Sequence, residues 1–111
     1  MSEAGAALIW SPFDSQADAE QVARTLVEEG LVACANIVPH LTSIFRYNGQ
    51  VQQASEVGAL FKTDARLLER ATTRLAELHP YQTPAICGWK ADSAPHETRT
   101  WLAELVDRDN A

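Results

Sequence analysis

Few side chains in this chain of 111 residues are suited to chemistry, and His79 is the first of them. It stands where a helical pattern ends, just before Pro80 and Tyr81. A helix C-terminus favours the protonated ring, and a neutral imidazole is a good metal ligand. The same position suits a residue that ends a helix and bonds to nearby backbone. Cys34 lies in an apolar run and can offer a thiolate to a soft ion such as Cu(I), or pack as a small buried hydrophobe. Cys87 has a similar setting, beside Gly88 and Trp89. Tyr81 can close a pocket with its hydroxyl, or pack its ring and satisfy the hydroxyl locally. Glu56 and Lys62 are an even number of residues apart on one predicted strand, so they share a face if no bulge intervenes. An exposed ion pair there would contribute little.

Spacing limits what these groups can do alone. His40, His79 and His96 have no His-x-x-x-His relation, so a joint metal site must be made by the fold or by two subunits. The chain has no Gly-rich phosphate loop, no Ser elbow and no His-Glu-x-x-His. A Cys34–His79 nucleophile and base would need the fold to bring them together. Binding is therefore expected over catalysis.

The bulk properties narrow the class. A hydrophobic fraction of 46% with 22% charged residues is that of a globular protein, and the length fits a single domain over residues 1–111. The net charge of -6 argues against nucleic acid or an anionic membrane as partner, since both need clustered Lys and Arg. The apolar run from Leu31 to Val38 is too short to span a bilayer. Met1 to Ala7 has neither a basic region nor a long apolar stretch, so no signal peptide is expected there. Two cysteines make no disulfide framework, and reduced thiols in the cytoplasm are expected.

The elements that must position these residues follow from periodicity. Ala6 to Trp10 predicts a first strand, broken by Ser11-Pro12-Phe13. Ala19, Val22, Ala23, Leu26 and Val27 predict one face of a helix that Ser15 starts and Gly30 ends. Leu31 to Val38 predicts a buried strand ended by Pro39, and Thr42 to Tyr47 a further stretch. Asn48-Gly49 predicts a tight hairpin turn. The return strand is expected from Val51, irregular through Gln53-Ala54-Ser55, to Lys62 or Thr63. Asp64 caps a second helix carrying Leu67, Leu68, Ala71, Leu75 and Leu78, stopped by His79-Pro80. Pro84 to Ala91 predicts a fourth strand. Ser93 and Pro95 open a last helix with Trp101, Leu102, Leu105 and Val106 on its apolar face.

The resulting order, β-α-β-β-α-β, is the ferredoxin-like α+β sandwich with an extra C-terminal helix. Two right-handed crossovers place both main helices on one sheet face. The strands nevertheless carry apolar residues on both faces, including Val32, Cys34, Ile37, Val38, Ile44, Phe45, Leu60 and Phe61. The last helix covers part of the second face, and a homo-oligomer is expected to cover the rest.

The segment Ala33-Cys34-Ala35-Asn36-Ile37-Val38-Pro39 resembles the second strand of the CutA divalent-ion tolerance family. So do Thr42-Ser43-Ile44, the Gly49 turn, Ser55-Glu56-Val57, Lys62-Thr63, and above all Leu78-His79-Pro80-Tyr81-Gln82-Thr83-Pro84, with Trp101 near the end. The resemblance covers nearly the whole chain. It implies a homotrimer, an architecture like PII signalling trimers, and a role in tolerance of divalent cations, copper in particular. It implies no agreed enzymatic activity. It places Glu56, Lys62, His79 and Tyr81 at an inter-subunit cleft, with His79 and Cys34 as candidate metal ligands, and leaves a small non-metal ligand as the other occupant. The chain departs from the family at Ala85, where the family usually has Glu, at Trp10 and Leu78, where some members carry Cys and His, and at Tyr47-Asn48. Those changes remove plausible metal ligands.

Overall fold

The computed structural model describes residues 5–109. The stretch read above as lacking a signal peptide therefore lies partly outside the described residues. Strand β1 is Ala6–Phe13, followed by helix α1, Gln16–Glu28. Strand β2 (Cys34–Tyr47) and strand β3 (Gln50–Asp64) form a long hairpin. A 3-10 turn, Ala65–Leu67, leads into α2, Leu68–Leu78; β4 (Cys87–Lys90) and α3 (His96–Asp109) complete the chain. The sheet order is β2-β3-β1-β4 and every neighbouring pair is antiparallel. This is the ferredoxin-like arrangement that the element order predicts.

Local chemistry accounts for the element ends. The Ser15 hydroxyl accepts the Asp18 N–H at 3.1 Å and starts α1. At the other end, Gly30 takes φ 74° and the Leu31 N–H reaches back to the Leu26 carbonyl, a glycine-type helix stop. Asp64 accepts the Arg66 N–H at 2.8 Å and holds that side chain in a two-point ion pair. Asn48 and Gly49 both have positive φ, 52° and 75°, as a two-residue hairpin turn requires.

The core lies between the sheet and α1 with α2. Ile9, Phe13, Val22, Leu26, Phe61 and Leu75 are its large members, all buried. Helix α3 packs on the opposite face, against β3 and β1, and buries Leu102, Ala103 and Leu105. No helix among the described residues is long and apolar enough to cross a membrane.

Four strand boundaries differ from the sequence reading. Strand β1 runs on through Pro12, because β4 pairs only with Ala7 to Trp10 and leaves β1 an edge beyond it. Strand β2 runs on through Pro39, because β2 is an edge strand and Pro39-His40 form a bulge between the Val38–Gly58 and Leu41–Glu56 pairs. His40 takes φ 64° in that bulge. The irregularity expected at Gln53-Ala54-Ser55 is thus on the partner strand, and β3 itself is regular. Strand β4 is confined to Cys87–Lys90, which pair with Ala7 to Trp10, while the Ala85 carbonyl ahead of it is held by the Ser11 hydroxyl. Leu31 and Val32 are buried ahead of β2, whereas Val38 within it is 38% exposed. Two apolar helix positions also differ: Val27 and Trp101 are 41% and 42% exposed.

Beyond the Phe13–Val57 pair, β2 and β3 pair only with each other, so the hairpin projects as an arm and the chain measures 49 × 26 × 22 Å. The arm exposes Ile44 and Val51 (69% and 66%), with Phe45 and Tyr47 less open.

At Gly58 a side chain is excluded. A methyl there would overlap the Trp10 ring and come within 2.9 Å of Leu41 Cδ1. Gly58→Ala is expected to lower stability by about 1–3 kcal/mol, the usual cost of overpacking. Urea unfolding checks this, and an unchanged midpoint would show that Trp10 moves aside freely.

Candidate functional site

The residue before a proline is pushed out of helical geometry, and His79 obeys, with φ -66° and ψ 132° at the end of α2. Its N–H still bonds the Leu75 carbonyl at 2.9 Å. The side chain turns inward, 6% exposed, and stacks flat on Phe13 with ring centroids 4.1 Å apart. Both ring nitrogens are engaged. The Tyr81 N–H donates to Nδ1 at 3.2 Å, so Nε2 carries the hydrogen and donates it to the Pro12 carbonyl at 2.9 Å. Burial pushes the imidazole pKa down, against the Pro12 bond and the charges of Glu56 and Asp18. The ring is a neutral strut that ties the α2 end to β1.

The strut fixes Tyr81. Its ring tilts against His79 at 4.8 Å, and its hydroxyl donates to Glu56 Oε2 at 2.6 Å. Burial pushes the Tyr81 pKa up, and the bond to Glu56 and the charges of Glu56, Asp14 and Asp18 push it further. By strand parity Phe13 lies on the helix face and Glu56 on the other. The His79-Pro80-Tyr81 turn therefore wraps round the open edge of β1. Further along, the Ser11 hydroxyl donates to the Ala85 carbonyl at 2.9 Å and pins the segment leading to β4.

These contacts shape a cleft of about 620 Å³. Pro12 and Glu56 line it from the sheet, Ser43, Phe45, Arg46 and Tyr47 from the hairpin arm, and Tyr81 to Ala85 from the turn. Its size is within the range of small-molecule sites.

Of the expected cleft residues, the structure joins Glu56, His79 and Tyr81. Within one chain it does not add Lys62. Glu56 and Lys62 do share a face, but the strand rise of ~3.3 Å per residue sets them about 20 Å apart. Lys62 pairs instead with Cys34 and Leu8. Within one chain His79 and Cys34 are likewise not brought together, either as metal ligands or as nucleophile and base. Cys34 lies on the Leu8–Lys62 row, on the face opposite the one where His79 stacks. Cys34 and Cys87 are free thiols, half-buried and exposed respectively.

The donor set does not fit a divalent ion within one chain. Among the described residues no three His, Cys, Asp or Glu side chains are grouped to hold a metal. His79 has no free lone pair to offer. Trp10 packs over Gly58, Leu78 packs against the core, and Ala85 offers the cleft no side-chain donor. Sequence reasoning missed Ser11, Pro12 and Phe13. The Ile9-x-Ser11-x-Phe13 alternation was the available signal.

Comparison with known proteins gives one answer. A family model described as CutA1 divalent ion tolerance protein matches residues 7–105. A divalent-cation tolerance protein CutA from Pyrococcus horikoshii is 36% identical over 97 residues, covering 87% of this chain and 94% of the relative. One from Thermus thermophilus is 40% identical over 90 residues, covering 81% of this chain and 87% of the relative. The crystal structure of the divalent ion tolerance protein CutA1 from Ehrlichia chaffeensis superposes with a TM-score of 0.87 at 28% identity, covering 94% of this chain and 97% of that one. With its ferredoxin-like sheet and its family-type His79-Pro80-Tyr81 turn, this chain belongs to the CutA1 divalent ion tolerance family.

Proposed function

We propose that this chain serves divalent-cation tolerance as a homotrimeric binding or signalling module, whose cleft at Tyr81 and Glu56 takes a small non-metal ligand. The observation that carries this is the built cleft wall: His79, bonded at both nitrogens, holds Tyr81 so that its hydroxyl meets Glu56 at 2.6 Å. A buried, fully bonded support of this kind preorganises a binding surface. The module binds rather than catalyses, and it works in the cytoplasm with reduced thiols. The apolar arm, with Ile44 and Val51 open to solvent, supports the trimer, because an exposed apolar ribbon needs a partner surface. Light scattering at micromolar concentration is expected to give three times the 12.2 kDa chain mass, and a stable monomer would contradict it.

A second reading keeps copper as the ligand. It is favoured by the half-buried free thiol of Cys34, which can hold Cu(I) where copies of the chain meet. Calorimetry separates the two. Saturable heat with Cu(I) that vanishes in Cys34→Ser supports copper. Flat titrations with Cu(I) and Cu(II), joined to a thermal shift by an organic ligand, support the first reading.

A further inference from the structure

We propose that the cleft's ligand is an organic cation, an amine or amidinium on an apolar frame, with its charge placed against Glu56. This rests on the reading of the cleft as a ligand site. Among the described residues, Glu56 is the sole carboxylate lining the cleft. It has no ion-pair partner among the described residues, and Tyr81 uses only its Oε2. The Tyr81 hydroxyl spends its hydrogen on that oxygen. What the cleft then presents, at Glu56 Oε1 and the Tyr81 oxygen, is lone pairs, which call for a donor. Asp14 and Asp18 also act on the Tyr81 hydroxyl electrostatically, so the field at this end is negative. Among the described residues the one cation lining the cleft is Arg46, and its Nη1 points to the Gly49 carbonyl at the hairpin tip, at 3.5 Å.

The remaining lining selects the body of the ligand. Phe45, Tyr47 and Tyr81 bring aromatic rings, and Pro12 and Pro84 add apolar surface. Aromatic faces attract organic cations and bury their frames. A bare metal ion gains nothing from such walls and lacks ligands here. An anion would face Glu56 and the field of two further carboxylates.

Three indoles with one frame and different charge test this: tryptamine (cation), tryptophol (neutral) and indole-3-acetate (anion). Each is titrated into the ¹⁵N-labelled full chain while amides of Tyr81 to Ala85 and of Phe45 to Tyr47 are followed. Tryptamine is expected to shift those amides with an affinity about tenfold above tryptophol, the scale of one charge-assisted bond, with indole-3-acetate weakest. Glu56→Gln is expected to bring tryptamine down to the affinity of tryptophol. Equal or tighter binding of tryptophol or indole-3-acetate at these amides overturns the inference while the cleft reading stands. Failure of all three to move them, in a chain whose spectrum is folded, removes the cleft reading and the inference together. The wild-type comparison decides the matter even if the Gln variant does not fold.

Discussion

Replacing His79 by alanine is expected to cost about 2–4 kcal/mol of folding stability and to release Tyr81 from Glu56. The substitution removes a buried ring stacked on Phe13 and leaves a void. It also leaves the Pro12 carbonyl and the Tyr81 N–H without their partner. Urea unfolding at fixed protein concentration reads the first loss, and the Tyr81 ring resonances read the second. A cost below about 1 kcal/mol would mean that water replaces the imidazole without penalty.

The same ring makes stability depend on pH, and the sign follows from its buried, neutral state. Burial lowers its pKa in the fold below the ordinary 6.5, so the unfolded chain binds the extra proton first. The stabilisation is complete above that value and is lost as pH falls through it toward the folded pKa. Between pH 7.5 and 5.5 the wild-type unfolding midpoint is expected to drop, and that of His79→Gln to stay nearly flat. A midpoint that rises on acidification would show a protonated, ion-paired imidazole instead.

Phe61→Ala is expected to cost as much or more, about 3–5 kcal/mol, and yet to leave the cleft alone. Phe61 is fully buried and faces Ile9 across the β1–β3 ladder, in the centre of the core. Its loss opens a cavity that the surrounding strands cannot close. Nothing in the His79, Tyr81 and Glu56 chain of bonds passes through it. The Phe61 variant is therefore the control for His79→Ala. Both are unstable, but only the histidine variant is expected to lose the Tyr81–Glu56 bond. Loss of that bond in both would mean that the cleft reports global stability and not the imidazole strut.

Much of the fold was legible in the residues. The apolar spacing of α1 and α2, the Ser15 and Asp64 caps and the Asn48-Gly49 turn each have one physical reading, and the structure follows it. The prolines did not. A proline shows only that one backbone donor is missing. Whether a ladder needs that donor depends on neighbouring strands, and at Pro12 and Pro39 none calls for it. The site was legible as chemistry more than as geometry. His79, Tyr81 and Glu56 stood out by type, but the bond from His79 to Pro12 spans 67 residues of sequence, and no local pattern encodes it. Parity placed Lys62 on the face of Glu56 correctly; the length of strand between them separated the two. Trp10 looked like a ligand lost, whereas in the fold it is a large ring matched to the absent side chain of Gly58.

The central claim is that His79 is a neutral strut positioning Tyr81, with no lone pair left for a metal. The long-range ¹H–¹⁵N spectrum of its ring, recorded with and without equimolar Zn(II), tests this most directly. The expected spectrum is that of the Nε2–H tautomer, with Nδ1 as acceptor, unchanged by the metal. An Nδ1–H tautomer, or ring nitrogens that move to metal-bound positions when Zn(II) is added, would contradict the account.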